Sequence, residues 1–235
     1  MTLLFTRRLA SILVLSLLAS CGNEKNEQAG TTAKTLLGAV KEYTETRREG
    51  PRPKTVVTPE MLAQTNGAAL QANPEQKGGS DFLRRVAVRN DSSIGAVEIW
   101  NSSDSAQVFL RNGVVVGTRG IGGDIIAADA SMTVRALNAR SGATGVRTYT
   151  ISDGDTTTTE FRLRCKVKNL GAENISIVNQ MIAVDFLRED CVGGPRGDTI
   201  VKNDYWVQRG TGLVRKSRQW MGPNTGYFEF ILLKN

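Results

Sequence analysis

The sequence predicts a mainly β protein: an antiparallel sandwich or barrel-like meander of about ten strands, preceded by one or two short N-terminal helices. Three observations carry that expectation. From about Phe82 onward, short segments of alternating hydrophobicity are separated by turn residues. Asn112-Gly113 sits between Val108–Arg111 and Val114–Thr118, the strongest short-range hairpin signal. Residues 161–168 alternate strictly, with Phe161, Leu163, Cys165 and Val167 on one face and Arg162, Arg164, Lys166 and Lys168 on the other. No repeat of fixed period and no long linker divides residues 82–235.

The elements follow in chain order. Met1–Ser20 reads as an export signal: Arg7 and Arg8 form a basic start, and Leu9–Leu18 is mostly apolar. That run falls short of the roughly 20 apolar residues a membrane-spanning helix needs. Leu18-Ala19-Ser20-Cys21 then resembles the bacterial lipobox, whose cysteine is lipidated and becomes the mature N-terminus. Gly22 stands where an aspartate would favour the inner membrane, so the motif implies the outer membrane, facing the periplasm. Residues 21–31 form a lipidated polar tether. Residues 32–66 form a helical preface to one β-rich domain spanning 32–235. Leu36, Leu37, Val40 and Tyr43 make a helical stripe within Thr32–Arg48, ended by Gly50-Pro51. Thr58-Pro59-Glu60 supplies a cap residue, a first-turn proline and a first-turn acid for a second helix that fades by Asn66-Gly67. The polar stretch Gln71–Ser80 reads as a loop. Beyond it, Asp153-Gly154 joins Arg147–Ser152 to Thr158–Val167, while 181–186 and 227–232 alternate, for nine to eleven strands in all.

Charge and composition narrow the function. Thirty Lys+Arg face 23 Asp+Glu, a formal net charge of +7, and there is no histidine. Histidine-dependent triads, dyads and zinc motifs are thereby excluded. Removing residues 1–20 takes away two arginines and no acids, leaving 28 against 23, or +5. That balance suits an anionic partner such as an acidic polysaccharide or lipid headgroups. Nucleic acid is a poor fit for an exported chain. With Cys21 acylated, Cys165 and Cys191 remain as an even pair in an oxidising compartment, which points to a disulfide; the alternative is two buried free thiols.

Several motifs fail on inspection. Gly120-Ile121-Gly122-Gly123 lacks the last glycine of a dinucleotide-binding fingerprint and has no surrounding βαβ unit. Asp153-Gly154-Asp155 lacks the later ligands of a calcium loop. No metal or other cofactor is expected. Paired carboxylates can act without histidine, and Asp124 with Asp129 or Glu189 with Asp190 are the conceivable pairs. They keep open the alternative of a polysaccharide-modifying enzyme, beside that of a purely structural envelope lipoprotein.

Two stretches stand out: Arg111–Asp129 (RNGVVVGTRGIGGDIIAAD), and Asn203–Val207 (NDYWV) with Gly212–Tyr227 (GLVRKSRQWMGPNTGY). Set behind a lipobox, these blocks resemble the YjbF/GfcB family of group 4 capsule and exopolysaccharide lipoproteins. The resemblance runs from about Thr35 to the C-terminus. It implies a non-catalytic outer-membrane accessory in production or export of capsule or exopolysaccharide. Its partners would be the membrane, through Cys21, and polysaccharide or other capsule-secretion proteins. It supplies no catalytic residues. Trp206, Arg218, Gln219 and Trp220, with Arg119 and Asp124, have the residue types of a glycan or partner surface, since rings cover sugar faces and planar polar groups bond hydroxyls. The opposing reading makes Trp206 and Trp220 core residues and gives Arg218 an ion pair with Asp124 or Asp204.

Overall fold

Alternating side chains and tight turns send the chain back and forth into one twelve-stranded antiparallel sheet. The computed structural model describes residues 52–154 and 156–235; the export segment, Cys21, the tether and the expected helix within 32–48 lie outside the described residues. The strands are β1 (Ala69–Pro74), β2 (Asp81–Arg89), β3 (Val97–Asn101), β4 (Gln107–Arg111), β5 (Val114–Arg119), β6 (Ile125–Asp129), β7 (Ala143–Ser152), β8 (Thr158–Ile177), β9 (Gln180–Gly193), β10 (Thr199–Gln208), β11 (Val214–Trp220) and β12 (Tyr227–Lys234). Two helices accompany them, α1 (Pro59–Gln64) and α2 (Ser131–Ala139).

The lateral order is β5-β4-β3-β2-β1-β12-β11-β10-β9-β8-β7-β6. Every neighbour but one is also the next strand in the chain; the exception is β1 against β12, with Leu70 opposite Leu232 and Ala72 opposite Phe230. Edge strands β5 and β6 approach each other, so the sheet nearly closes into a barrel. At that seam the Ile125 N–H donates to the Thr118 hydroxyl at 2.9 Å.

The Asn112-Gly113 hairpin joins β4 to β5, and both residues have positive φ, 48° and 78°. A methyl group at Gly113 would meet Val214 Cβ at 2.5 Å, so this glycine answers both to its backbone and to its neighbour. Thr58 caps α1 through its hydroxyl, as its sequence suggests. Two elements differ from expectation. Residues 69–74 form β1 where a loop begins at Gln71 in the sequence reading. Both faces of β1 are buried, because Gln71 and Asn73 point under residues 54–58 and 80 rather than into water. Helix α2 lies inside the β domain, where no helical stripe was expected. It buries Met132, Thr133, Val134, Ala136 and Leu137 against the barrel and ends at Arg140 with left-handed φ of 49°. Gly145 of β7 leaves room for Met132.

The main core fills the barrel interior, with Leu70, Trp100, Leu110, Leu163, Leu187 and Phe230 among its members. Leu163, Cys165 and Val167 point inward while Arg162, Arg164, Lys166 and Lys168 stay exposed. Apolar residues inside and charges outside reverse the pattern of a lipid-embedded barrel. Among the described residues, no helix is long and apolar enough to cross a membrane. A second, smaller cluster lies outside the sheet, where Val57 and Leu62 pack with Ala69, Leu233, Ile182 and Val184. The β8–β9 hairpin reaches this cluster by virtue of its length, with a register shift between Asn169 and Gly171. Its turn residues Val178 and Asn179 both have positive φ, 47° and 61°. Val178 is β-branched and costs about 1–2 kcal/mol there; its packing against the outer cluster offsets that cost.

Candidate functional site

The barrel interior holds a buried polar network built from six elements. Arg147 of β7 donates to Glu189 of β9 at 2.6 Å, to the Tyr205 hydroxyl of β10 at 3.1 Å and to the Val115 carbonyl of β5 at 3.0 Å. Glu189 also accepts from Asn203 at 2.7 Å and from the Thr133 hydroxyl of α2. Gln219 of β11 accepts the Val115 N–H at 2.9 Å and donates to the Gly113 carbonyl at 2.8 Å. Edge strand β5 is therefore gripped by side chains from β7, beyond the seam, and from β11. Burial opposes the charge of Arg147, but the Glu189 carboxylate and the Tyr149 and Tyr205 rings outweigh it and raise the guanidinium's pKa. Burial pushes the Tyr149 and Tyr205 hydroxyls up, so both stay protonated. An Arg–Glu ion pair closed in by neutral tyrosines, the Asn203 amide and the Thr133 hydroxyl is a structural lock.

Beside this lock lies the Cys165–Cys191 disulfide, with an S–S distance of 2.03 Å between residues that face each other across β8 and β9. Glu189 is near both sulfurs, but sulfurs joined to each other offer no thiolate to a metal.

The six candidate surface residues do not converge. Gln219 and Trp220 are buried, at 1% and 6% exposure, and belong to the interior. Trp220 meets Tyr149 and Phe161 edge-on, at 5.2 and 5.4 Å between centroids. Asp124 organises the bend after β5: its carboxylate accepts from the Thr118 hydroxyl and from the Gly120 and Ile121 N–H groups, at 3.0, 2.8 and 3.1 Å. Arg119 is exposed at the end of β5. Only Trp206 and Arg218 lie on the outer face of β10–β11. Phe186 of β9 stacks on Trp206 at 4.9 Å, Lys216 of β11 sits over the same ring at 5.0 Å, and Nε1 donates to Glu173. Neighbours on either side thus occupy the indole. Arg218 covers Tyr227 at 3.7 Å and pairs with Glu75 through two bonds of 2.6 and 2.8 Å, not with Asp124 or Asp204; Asp204 is held by Arg188. The hydrogen bonds that Arg218 donates to the Glu75 carboxylate raise the guanidinium's pKa against partial burial.

The carboxylate pairs fare likewise. Glu189 points inward and Asp190 outward, as neighbours on a strand must. Asp129 accepts the Ser131 N–H at 2.9 Å at the start of α2. Its hydrogen bonds with Ser131 hold its carboxyl below the usual range.

Sequence reasoning missed the Arg147–Glu189 lock. Its one signal was position: Arg147 shares a strand face with Tyr149 and Ile151, and Glu189 shares one with Leu187 and Cys191. A cavity of about 360 Å³ opens at one barrel mouth, lined by Leu70, Leu110, Leu213, Leu232, Asn112 and Asn138 among others. The chemistry left unused by folding is the cationic row on the outside of β8.

These elements build an apolar-cored antiparallel barrel with an internal disulfide and a cationic outer face. The model of the family described as "Group 4 capsule polysaccharide lipoprotein gfcB, YjbF" matches residues 30–233, and the chain belongs to that family. Among solved structures, it is similar to the hypothetical lipoprotein YmcC from Escherichia coli (K12), with 18% identity and a TM-score of 0.65 over 90% of this chain and 98% of that one. That likeness shows a shared fold. No curated protein matches the chain.

Proposed function

We propose that this protein is a non-catalytic accessory in production or export of capsule or exopolysaccharide, acting by binding the polysaccharide or another secretion component. Residues 1–20 are removed on export, and Cys21 carries the acyl chains that hold residues 32–235, through the 21–31 tether, at the periplasmic face of the outer membrane. The observation that carries this reading is the capsule lipoprotein family match over residues 30–233. The geometry supports binding over turnover, because each carboxylate considered for hydrolysis is committed locally. Asp124 shapes a bend, Asp129 serves α2, Glu189 neutralises Arg147 and Asp190 binds Lys168.

The test is crosslinking and co-purification of the acylated chain from polymer-producing cells, paired with a reducing-end assay on purified polymer. Capture of polymer or a secretion protein without new reducing ends is expected. Reducing ends that appear with the protein and vanish in Asp124→Asn or Asp129→Asn sink the non-catalytic reading. Cys21→Ser is expected to leave the chain unacylated and outside the membrane fraction; continued membrane fractionation sinks the anchor.

A further inference from the structure

The outer face of β7–β10 presents exposed chemistry that the barrel itself does not need. Register aligns Val146 of β7, Arg164 of β8, Val192 of β9 and Ile200 of β10 in one row. All four are exposed, Ile200 to 75%. With strands about 4.8 Å apart, the row runs roughly 14 Å across the sheet. Arg162 flanks it on one side. Lys166, Asp190 and Lys202 form the parallel row on the other.

Charge on this face is unbalanced. Among the described residues, Arg162, Arg164, Lys166 and Lys202 make no ion pair. The acids beside them are already matched: Asp190 by Lys168 at 3.1 Å, Asp204 by Arg188 at 2.6 Å, and Asp198 by Arg196 at 3.4 Å in the loop between β9 and β10. Glu160, at the start of β8, is the acid at the margin.

The two features set separate requirements. Four free cations call for a dense anionic partner. Three aliphatic side chains in register, with the Arg164 stem between them, gain only from a partner that takes apolar surface out of water. A hydrated acidic polymer meets the first requirement alone. An anionic phospholipid surface meets both, with phosphates at the level of the Lys and Arg heads and the acyl boundary just beneath. We propose that the outer face of β7–β10 docks on an anionic phospholipid surface, with Arg162, Arg164, Lys166 and Lys202 at the phosphates and Val146, Val192 and Ile200 entering the interface. This goes beyond the accessory role and does not depend on it. A lipid anchor only tethers the barrel; this face lays it against the bilayer in one orientation.

The test uses the unacylated chain from residue 22 onward, which contains the whole described barrel, in co-sedimentation with vesicles of phosphatidylcholine alone or mixed with phosphatidylglycerol. Near-ultraviolet circular dichroism checks that each variant is folded. Binding to mixed vesicles and little to neutral ones is expected. Arg164→Glu/Lys166→Glu should cut it at least about tenfold, since each basic residue near such a surface contributes about fivefold and each reversal does more. Val192→Ser/Ile200→Ser should also weaken it severalfold, while Arg84→Glu, on the outside of β2, should leave it unchanged. Equal binding to neutral and mixed vesicles overturns the proposal, as does retention of binding in the charge-reversal variant. If Val192→Ser/Ile200→Ser binds like the parent and polygalacturonate displaces the vesicles, the face reads acidic polymer, and the lipid assignment is wrong.

Discussion

Replacing Arg147 by Met tests the claim that the interior lock holds the barrel shut. The Arg147 and Glu189 side chains are 1% and 0% exposed. The change leaves the Glu189 carboxyl buried without its cationic partner and supported only by Asn203, Thr133 and Tyr205, and it strips the Val115 carbonyl of its side-chain donor. Breaking a buried pair from one side costs about 3–5 kcal/mol. The lost hydrogen bond to Val115 adds about 1 kcal/mol. The sum, about 4–6 kcal/mol, is comparable to the whole stability of many domains. Urea unfolding followed by tryptophan fluorescence reads it directly, with Trp220 reporting from the interior. Arg147→Met/Glu189→Leu should recover part of the loss, because two apolar groups leave no orphaned charge. A loss below about 1 kcal/mol in Arg147→Met, or a double variant less stable than the single, refutes the lock.

Glu229 governs the acid limb. Burial works against its charge, but hydrogen bonds from Lys216, Lys54 and Asn73 hold its pKa at about 2 instead of 4.5. Its contribution is therefore present above pH 4.5 and is lost as pH falls toward 2. Glu229→Gln should flatten stability over that window, with a wild-type loss of about 2 kcal/mol after allowance for solvent screening. Cys165→Ser/Cys191→Ser should cost about 3.5 kcal/mol for a separation of 26 residues, read as a shift in urea midpoint. Gly113→Ala combines a positive φ with a 2.5 Å clash at Val214, and should lower stability by at least about 2 kcal/mol in thermal unfolding. No change in midpoint would mean the β4–β5 turn is not held as described.

Much of the fold was legible because it rests on local rules. Alternation in residues 161–168, the Asn112-Gly113 turn and the Thr58-Pro59-Glu60 cap each involve neighbours in the chain. What escaped depends on distant partners. β1 looks polar because Gln71 and Asn73 are matched by Thr55, Ser80 and Glu229, none of which its own six residues reveal. Helix α2 lacks a side-chain cap and follows a strand without a long break. The candidate site failed for a related reason. Trp206, Arg218, Gln219 and Trp220 are close in sequence or strand register, but strand alternation sends Gln219 and Arg218 to opposite sides of the sheet, and Trp220 turns into the core.

The pairing of β1 with β12 sets the order of events during folding. Ala69 lies opposite Lys234, so the strand that begins the barrel waits for β12, more than 150 residues further along, before its second edge is covered. A chain that emerges N-terminus first can zip β1 through β5 and β6 through β11 by pairing each strand with the next, yet the backbone ladder between the two halves cannot form until the eight residues of β12 arrive. Such long-range closure folds slowly and leaves open edges meanwhile. Loss of β12 by truncation or proteolysis is thus not a frayed end. It removes the backbone ladder between the two arms of the sheet and leaves only the side-chain contacts at the β5–β6 seam to hold them.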